Sequence, residues 1–278
     1  MIVIHPEQVV AARQGDRAAL EALVRAAQRP VYNVALRMLA DPAAAEDATQ
    51  EILIKMITNL GSLRDPAAAG GWVLRIACRH LVGLRKQSRT EAMRLTFGGF
   101  AEDLDHGQAP LSAAGLTQIE EKIAVVQVKT KCTLALLTCL SRKLRAAYIL
   151  GEIFEMDDGD AARALEITPP AFRQRLSRAR VAVLEFTLAQ CGITSPRARC
   201  HCSRRVVPAL TQGRIESALD TGEAAVDIEK LQKRIRNLED GRAAAALMRS
   251  NPDFEIEVLP RLLQSLASDL GPASGPSS

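Results

Sequence analysis

Two short stretches hold residue types able to do chemistry. The first is "ITPPAFRQRLSRAR", which packs Arg173, Arg175, Arg178 and Arg180 into one segment. The chain as a whole is nearly balanced, with 36 Lys+Arg against 32 Asp+Glu and a net charge of +4. Guanidinium groups at this local density suit phosphate and base-edge recognition; the plainer reading is a solvated face. The second stretch is "CGITSPRARCHC", with Cys191, Cys200, His201 and Cys202. Three thiols and an imidazole suit a soft tetrahedral site for zinc or copper(I), or a redox role. The Cys-x-Cys spacing differs from the usual Cys-x2-Cys of zinc knuckles. Cys132 and Cys139 fall one seven-residue step apart on one helix face. They either complete such a site or are small buried residues, and Cys78 reads as core. No cofactor is required by either stretch.

A catalytic metal needs an open position and a nearby base. The four histidines are scattered at 5, 80, 106 and 201, and there is no Gly-rich phosphate loop. An enzyme is therefore not expected.

Positioning these stretches is the work of helices. Of the 278 residues, 47% are apolar and only 3% aromatic. That composition favours helix over sheet, and the fold class expected is all-α. The pattern from Gln8 to about Leu39 is helical, with a break or kink at Pro30. "DPAAAEDATQEILIKMITNL" begins a helix with Asp41 as N-cap and Pro42 in the first position, and Gly61 ends it. "GSLRDPAAAGG" reads as a loop. The next helix, from Trp72, has the apolar stripe Trp72, Val73, Ile76, Ala77, Leu81 and Leu84, and its other face carries Arg75, Arg79, Arg85, Lys86 and Arg89.

Residues 96–116 lose periodicity and read as a flexible linker. Helical pattern returns near Thr117. Near the arginines, Thr168 is a natural N-cap with Pro169 in the first position. Phe172, Leu176, Ala179 and Val183 then recur at helix spacing as a buried stripe. Gln174, Ser177 and Arg178 point away from it, flanked by Arg173, Arg175 and Arg180. The short preceding helix, Asp158 to Leu165, has a small face of Ala161, Ala162 and Leu165. Two short helices joined by a tight turn, the second one basic, suggest a helix-turn-helix aimed at the major groove.

These residues resemble region 4 of bacterial RNA polymerase sigma factors, nearest to the extracytoplasmic-function (ECF) type. The segment "DDGDAARALEITPPAFRQRLSRARVAVL" carries the likeness. "ARQGDRAALEALV", "VYNVALRML", "AAEDATQEILIK" and "GWVLRIACRHLVGLRK" are similar to region 2 in order and spacing. The resemblance implies a region 2 bundle over 1–95, a linker over 96–130, a region 4 helix-turn-helix over 131–188, and a cysteine-containing helical extension with a disordered end over 189–278. It implies core RNA polymerase docking on Asp47, Gln50, Glu51 and Lys55, beside Ile52 and Met56. The −10 promoter strand falls to Arg64, Arg75, Arg79, Arg85 and Lys86. The −35 element falls to Pro170, Ala171, Arg173, Gln174, Arg175, Ser177, Arg178 and Arg180. The acidic linker, with Glu102, Asp103 and Asp105, would lie in the polymerase's RNA channel. Departures are Glu166 where the family's turn usually has Gly, and Pro169-Pro170-Ala171 at the opening of the recognition helix.

The expected function is thus a sigma factor that directs core polymerase to promoters. Its expected partners are promoter DNA and the polymerase, with an anti-sigma protein as a candidate third. The competing reading is a metal- or redox-responsive operator-binding regulator. No stretch reads as a secretory signal or a membrane span, so the chain is expected in the cytoplasm. The cysteine segment and the amphipathic tail, with its stripe Ile228, Leu231, Ile235 and Leu238, are expected to regulate promoter or polymerase binding.

Overall fold

The computed structural model describes residues 2–84, 96–215 and 228–256. All regular structure among them is helical, save a single bridge between Cys191 and Cys200. The chain divides into two compact units. Within the described residues, one holds 2–36, 42–84 and 254–256, and the other holds 37–41 and 96–253.

The first unit is built on α1 (Pro6–Arg13), α2 (Arg17–Leu39), α3 (Pro42–Thr58) and α4 (Ala69–Gly83). The break expected at Pro30 lies elsewhere. Gly15, at φ 91°, separates α1 from α2, and α2 runs on through Pro30. An internal proline costs about 3 kcal/mol in an isolated helix. Here Ala27, Val31, Val34 and Ala35 on both sides of it are buried, and that packing holds the helix together. After α3 come two 3-10 turns, Leu60–Ser62 and Pro66–Ala68. Asp65 caps the second by accepting from the Ala67 N–H at 2.9 Å. Gly70 and Gly71, expected in the loop, lie in the first turn of α4. Gly70 is required there, because a Cβ would stand 2.2 Å from the Ile2 carbonyl oxygen. The buried face of α4 is Val73, Leu74, Ala77, Cys78 and Leu81, so the stripe is rotated from the expected one and Trp72 and Ile76 are only half-buried. Cys78 is core, and burial pushes its thiol up to about 12.

The second unit contains α5 (Phe97–His106), α6 (Gln118–Thr138), α7 (Arg142–Tyr148), α8 (Asp158–Ala164), α9 (Pro169–Gln190), α10 (Val206–Thr211), α11 (Ile228–Arg236) and α12 (Asp240–Arg249). A π-helical turn, Ile149–Ile153, extends α7. The linker expected over 96–130 is structured. Thr96 caps α5 at the Gly99 N–H. Phe100 and Leu104 are buried, and Phe97 and Phe100 lie against Phe186 of α9 with ring centroids 5.6 and 5.4 Å apart. Glycines and acids masked this i, i+3, i+7 apolar face. The expected boundary at 130/131 falls inside α6, whose capping box pairs Thr117 with Glu120.

α8 and α9 form the helix-turn-helix. Thr168 accepts from the Ala171 N–H, and Phe172, Leu176, Ala179 and Val183 are all buried, as the spacing predicts. This stripe packs on α7 and its π turn. A Cβ on Gly151 would stand 2.6 Å from Leu176 Cδ2, so a larger residue there would require the Leu176 side chain to shift. Glu166 occupies the turn at φ 55°, the left-handed region that the family's usual glycine supplies without strain.

The extension is part of this unit. Arg205 and Arg214 both grip Asp103 of α5, at 2.7 and 2.9 Å. Arg214 hydrogen bonding, then the charges of Arg214 and Arg205, hold the Asp103 carboxyl below its ordinary range despite partial burial. Ile235 of α11 is buried with Ile193, Ala243 and Leu247, and Leu231 and Leu238 pack against them. The amphipathic stripe read in the tail therefore closes on its own unit. The "GPASGPSS" end lies outside the described residues.

Replacing Glu166 by glycine is expected to stabilise the protein by about 1 kcal/mol, read as a higher urea midpoint at unchanged slope. A lower midpoint would show that the Glu166 side chain contributes more than the left-handed backbone costs.

Candidate nucleic-acid and polymerase interface

The geometry of α9 sorts its arginines. Gln174, Ser177 and Arg178 are exposed on the side away from the buried stripe, together with Arg173 and Arg180; Pro170 is exposed, and Ala171 and Arg175 are half-buried. Arg173 faces Asp158 of α8 at 3.6 Å. Arg180 is bound to Glu152 of the π turn. Arg175 and Arg178 have no acidic partner among the described residues. The helix thus presents two arginines committed to neighbouring elements and two available to a ligand. Spacing alone could not reveal that sorting, because Asp158 and Glu152 lie outside the helix.

The first unit presents a second polar surface. Asp47, Glu51 and Lys55 are exposed on α3 and Gln50 is half-buried. Ile52 and Met56, expected beside them on a partner surface, are fully buried and belong to the core. The polar residues are instead backed by His80 of α4. Lys55 Nζ lies 2.6 Å from His80 Nδ1, and Glu51 reaches His80 Nε2 at 3.7 Å and Lys55 at 3.8 Å. Burial first, then the Lys55 charge, lower the His80 pKa, with Glu51 opposing. The imidazole is neutral at neutral pH and locks α3 to α4 beneath Glu51 and Lys55. Sequence reading had passed over His80 as an isolated histidine.

Arg64 is exposed on the loop after α3, and Arg75 and Arg79 are exposed on one side of α4. Arg85 and Lys86, the other −10 candidates, lie outside the described residues.

The cysteine segment follows α9 directly. Among the described residues, no group of three or more His, Cys, Asp or Glu side chains stands so as to hold a metal ion. No helix among them is long and apolar enough to cross a membrane.

Against this geometry, comparison with known proteins is decisive. The sigma-70 region 2 family matches residues 23–90. That span covers most of α2 and all of α3 and α4. A probable RNA polymerase sigma-C factor of Mycobacterium bovis is 29% identical over 175 residues, covering 63% of this chain and 86% of that protein. The ECF RNA polymerase sigma factor SigC of Mycobacterium tuberculosis matches to the same extent. Over this span the chain is similar to ECF sigma factors. A probable RNA polymerase sigma factor of Xanthomonas campestris, RfaY, is 30% identical over 176 residues, of which this chain spans only 41% of the length.

The depressed pKa of His80 has a pH consequence. The unfolded chain takes up a proton near 6.5 while the folded one resists it, so stability falls as pH drops below that value. Denaturant unfolding at neutral pH and about one unit below 6.5 should show this loss in the wild type and a smaller loss in His80→Gln. An equal loss in both would place the proton uptake elsewhere.

Proposed function

We propose that this chain is an ECF sigma factor that binds core RNA polymerase through the exposed α3 face, with Asp47, Gln50, Glu51 and Lys55, and directs it to promoters of its own. The observation that carries this reading is the pairing of a region 2 match over 23–90 with a helix-turn-helix whose second helix shows a basic face. In this reading Gln174 and Arg178 meet base edges of the −35 element near the N-terminal half of α9. Arg175 holds a phosphate, which positions the helix without reading sequence, and Arg173 keeps to Asp158. Arg180 serves the helix's own support through Glu152. Arg64, Arg75 and Arg79 hold the single-stranded −10 backbone, where cations are needed and sequence is read by other groups. The working compartment is the cytoplasm, where the polymerase is.

Run-off transcription with purified core polymerase and a pool of promoter DNA tests the proposal. New, discrete start sites are expected only when core and this protein are both present. A shifted DNA band with the protein alone, and no polymerase-dependent transcripts, would overturn it in favour of an operator-binding regulator. At a promoter so identified, Arg178→Ala should weaken holoenzyme binding by roughly tenfold or more and relax the preference at one −35 position. Arg175→Ala should weaken it evenly across sequences and lower the salt slope by about 1.

A further inference from the structure

Four of the six cysteines gather at one place in the second unit, and no promoter-binding role uses them. Cys191 closes α9 as its C-cap. The chain turns through residues 192–199 and returns so that Cys200 pairs with Cys191 in a parallel bridge, the Gly192 N–H donating to the Cys200 carbonyl at 2.9 Å. Two residues on, Cys202 opens the 3-10 turn Cys202–Arg205, which packs on α6. Cys132 lies on α6, one helical turn after Val128, and Val128 shares its apolar cluster with Cys202. The Cys202, Cys191 and Cys200 thiols are all within electrostatic range of Cys132. All four keep partial solvent access, and none is in a disulfide. Cys139, the other cysteine on α6, is coupled to Arg145 rather than to these thiols.

We propose that Cys132, Cys191, Cys200 and Cys202 form a four-thiolate site for a zinc ion, tying α6, the end of the recognition helix and the start of the extension together. Four thiols converging from three segments supply the full tetrahedral set that closed zinc sites use, with sulfur about 2.3 Å from the metal. The Cys191–Cys200 bridge and the packing of the Cys202 turn on α6 bring the three segments that carry them together. Closing the shell asks for side-chain rotation, since the side chains are not yet arranged around one point. Zinc displaces the thiol protons to solvent. Four thiolates around Zn²⁺ leave two negative charges; Arg205, paired with Asp103, faces Cys132 and Cys200, Lys129 faces Cys202, and Asp103 and Asp105 oppose them at Cys200.

His201, which the sequence places between two of the ligands, is left out of the set. Its ring packs over Gly192, where a Cβ would meet Nδ1 at 2.8 Å. The four-residue set read from sequence therefore exchanges His201 for Cys132, a residue far from it in the chain. This proposal is independent of the promoter reading, since it concerns the fold of the second unit alone.

Zinc content and cobalt(II) titration of the full chain test it. About one equivalent per chain is expected, with cobalt giving thiolate charge-transfer and tetrahedral ligand-field bands. Cys132→Ser and Cys200→Ser should each lose at least tenfold in affinity, while His201→Asn and Cys139→Ser hold metal as the wild type does. A serine variant may misfold, so the wild-type chain is also alkylated with and without zinc and its cysteine peptides are weighed. Zinc should protect Cys132, Cys191, Cys200 and Cys202 together, and leave Cys139 unaffected. Three results would overturn the site: no stoichiometric zinc, copper(I) binding without zinc binding, or Cys132 alkylated equally fast with zinc present. Loss of metal in His201→Asn with Cys132→Ser unaffected would return the site to the histidine-containing set.

Discussion

The second unit depends on one close approach, that of the backbone at Gly151 to the side chains of Leu176 and Phe172. The π-helical turn places Gly151 there, and the absence of a Cβ lets α9 sink its apolar stripe onto α7. A helix has only one rotation that buries Phe172, Leu176, Ala179 and Val183 together. Once that rotation is set, Gln174, Ser177 and Arg178 must face outward. The chemistry of the recognition surface is therefore decided by packing on the opposite side of the helix. A side chain at position 151 would force Leu176 and Phe172, the first residues of that stripe, to repack.

Charge then divides the arginines that packing has exposed. Arg173 and Arg180 have carboxylates on neighbouring elements, whereas Arg175 and Arg178 have none among the described residues. Exposed ion pairs of this kind contribute little stability, about 0 to 1 kcal/mol, but they hold long side chains in fixed places. The same division of labour appears in the first unit. There His80 supports Lys55 and Glu51 from beneath, so the polar face of α3 is backed by a half-buried ring rather than by the apolar pair Ile52 and Met56. In both surfaces the groups offered to a partner are oriented by residues on a different helix.

Much of this was legible in the sequence, and the remainder was hidden for physical reasons. The Phe172–Val183 stripe, the Thr168 cap and the start of α3 at Pro42 are local signals, with spacing and capping written into a few adjacent residues. Pro30 misled because a local penalty was outweighed by burial of Ala27, Val31, Val34 and Ala35, which is a tertiary effect. Residues 97–106 misled in the other direction. Phe97, Phe100 and Leu104 are a sparse apolar face whose partner, Phe186, lies on α9, and the intervening glycines and acids dominate the composition. The candidate site shows the same limit. The Cys191, Cys200 and Cys202 group is readable from spacing, but nothing near Cys132 in sequence says that it faces them.

The extension shows how such distant pairings change the meaning of a domain boundary. Lys129 of α6 is buried and donates from Nζ to the Ser250 carbonyl at 2.8 Å and to its hydroxyl at 3.0 Å. Thr133, one turn on, exchanges hydrogen bonds with the Asn251 side chain at 2.8 and 3.1 Å. Arg249 donates to the Glu152 carbonyl and pairs with Glu155. Stripping residues beyond about 188 would remove Ser250 as an acceptor for the buried Lys129 and Asn251 as a partner for Thr133. Such a truncation disturbs the helices that hold the recognition helix, so a loss of promoter activity would not by itself reveal a regulatory tail. Glu152 makes the coupling direct, since its carboxylate holds Arg180 and its carbonyl holds Arg249. The extension and α9 are thus fastened to the same residue of the π turn, and a change in how the extension is held bears on the element that positions α9.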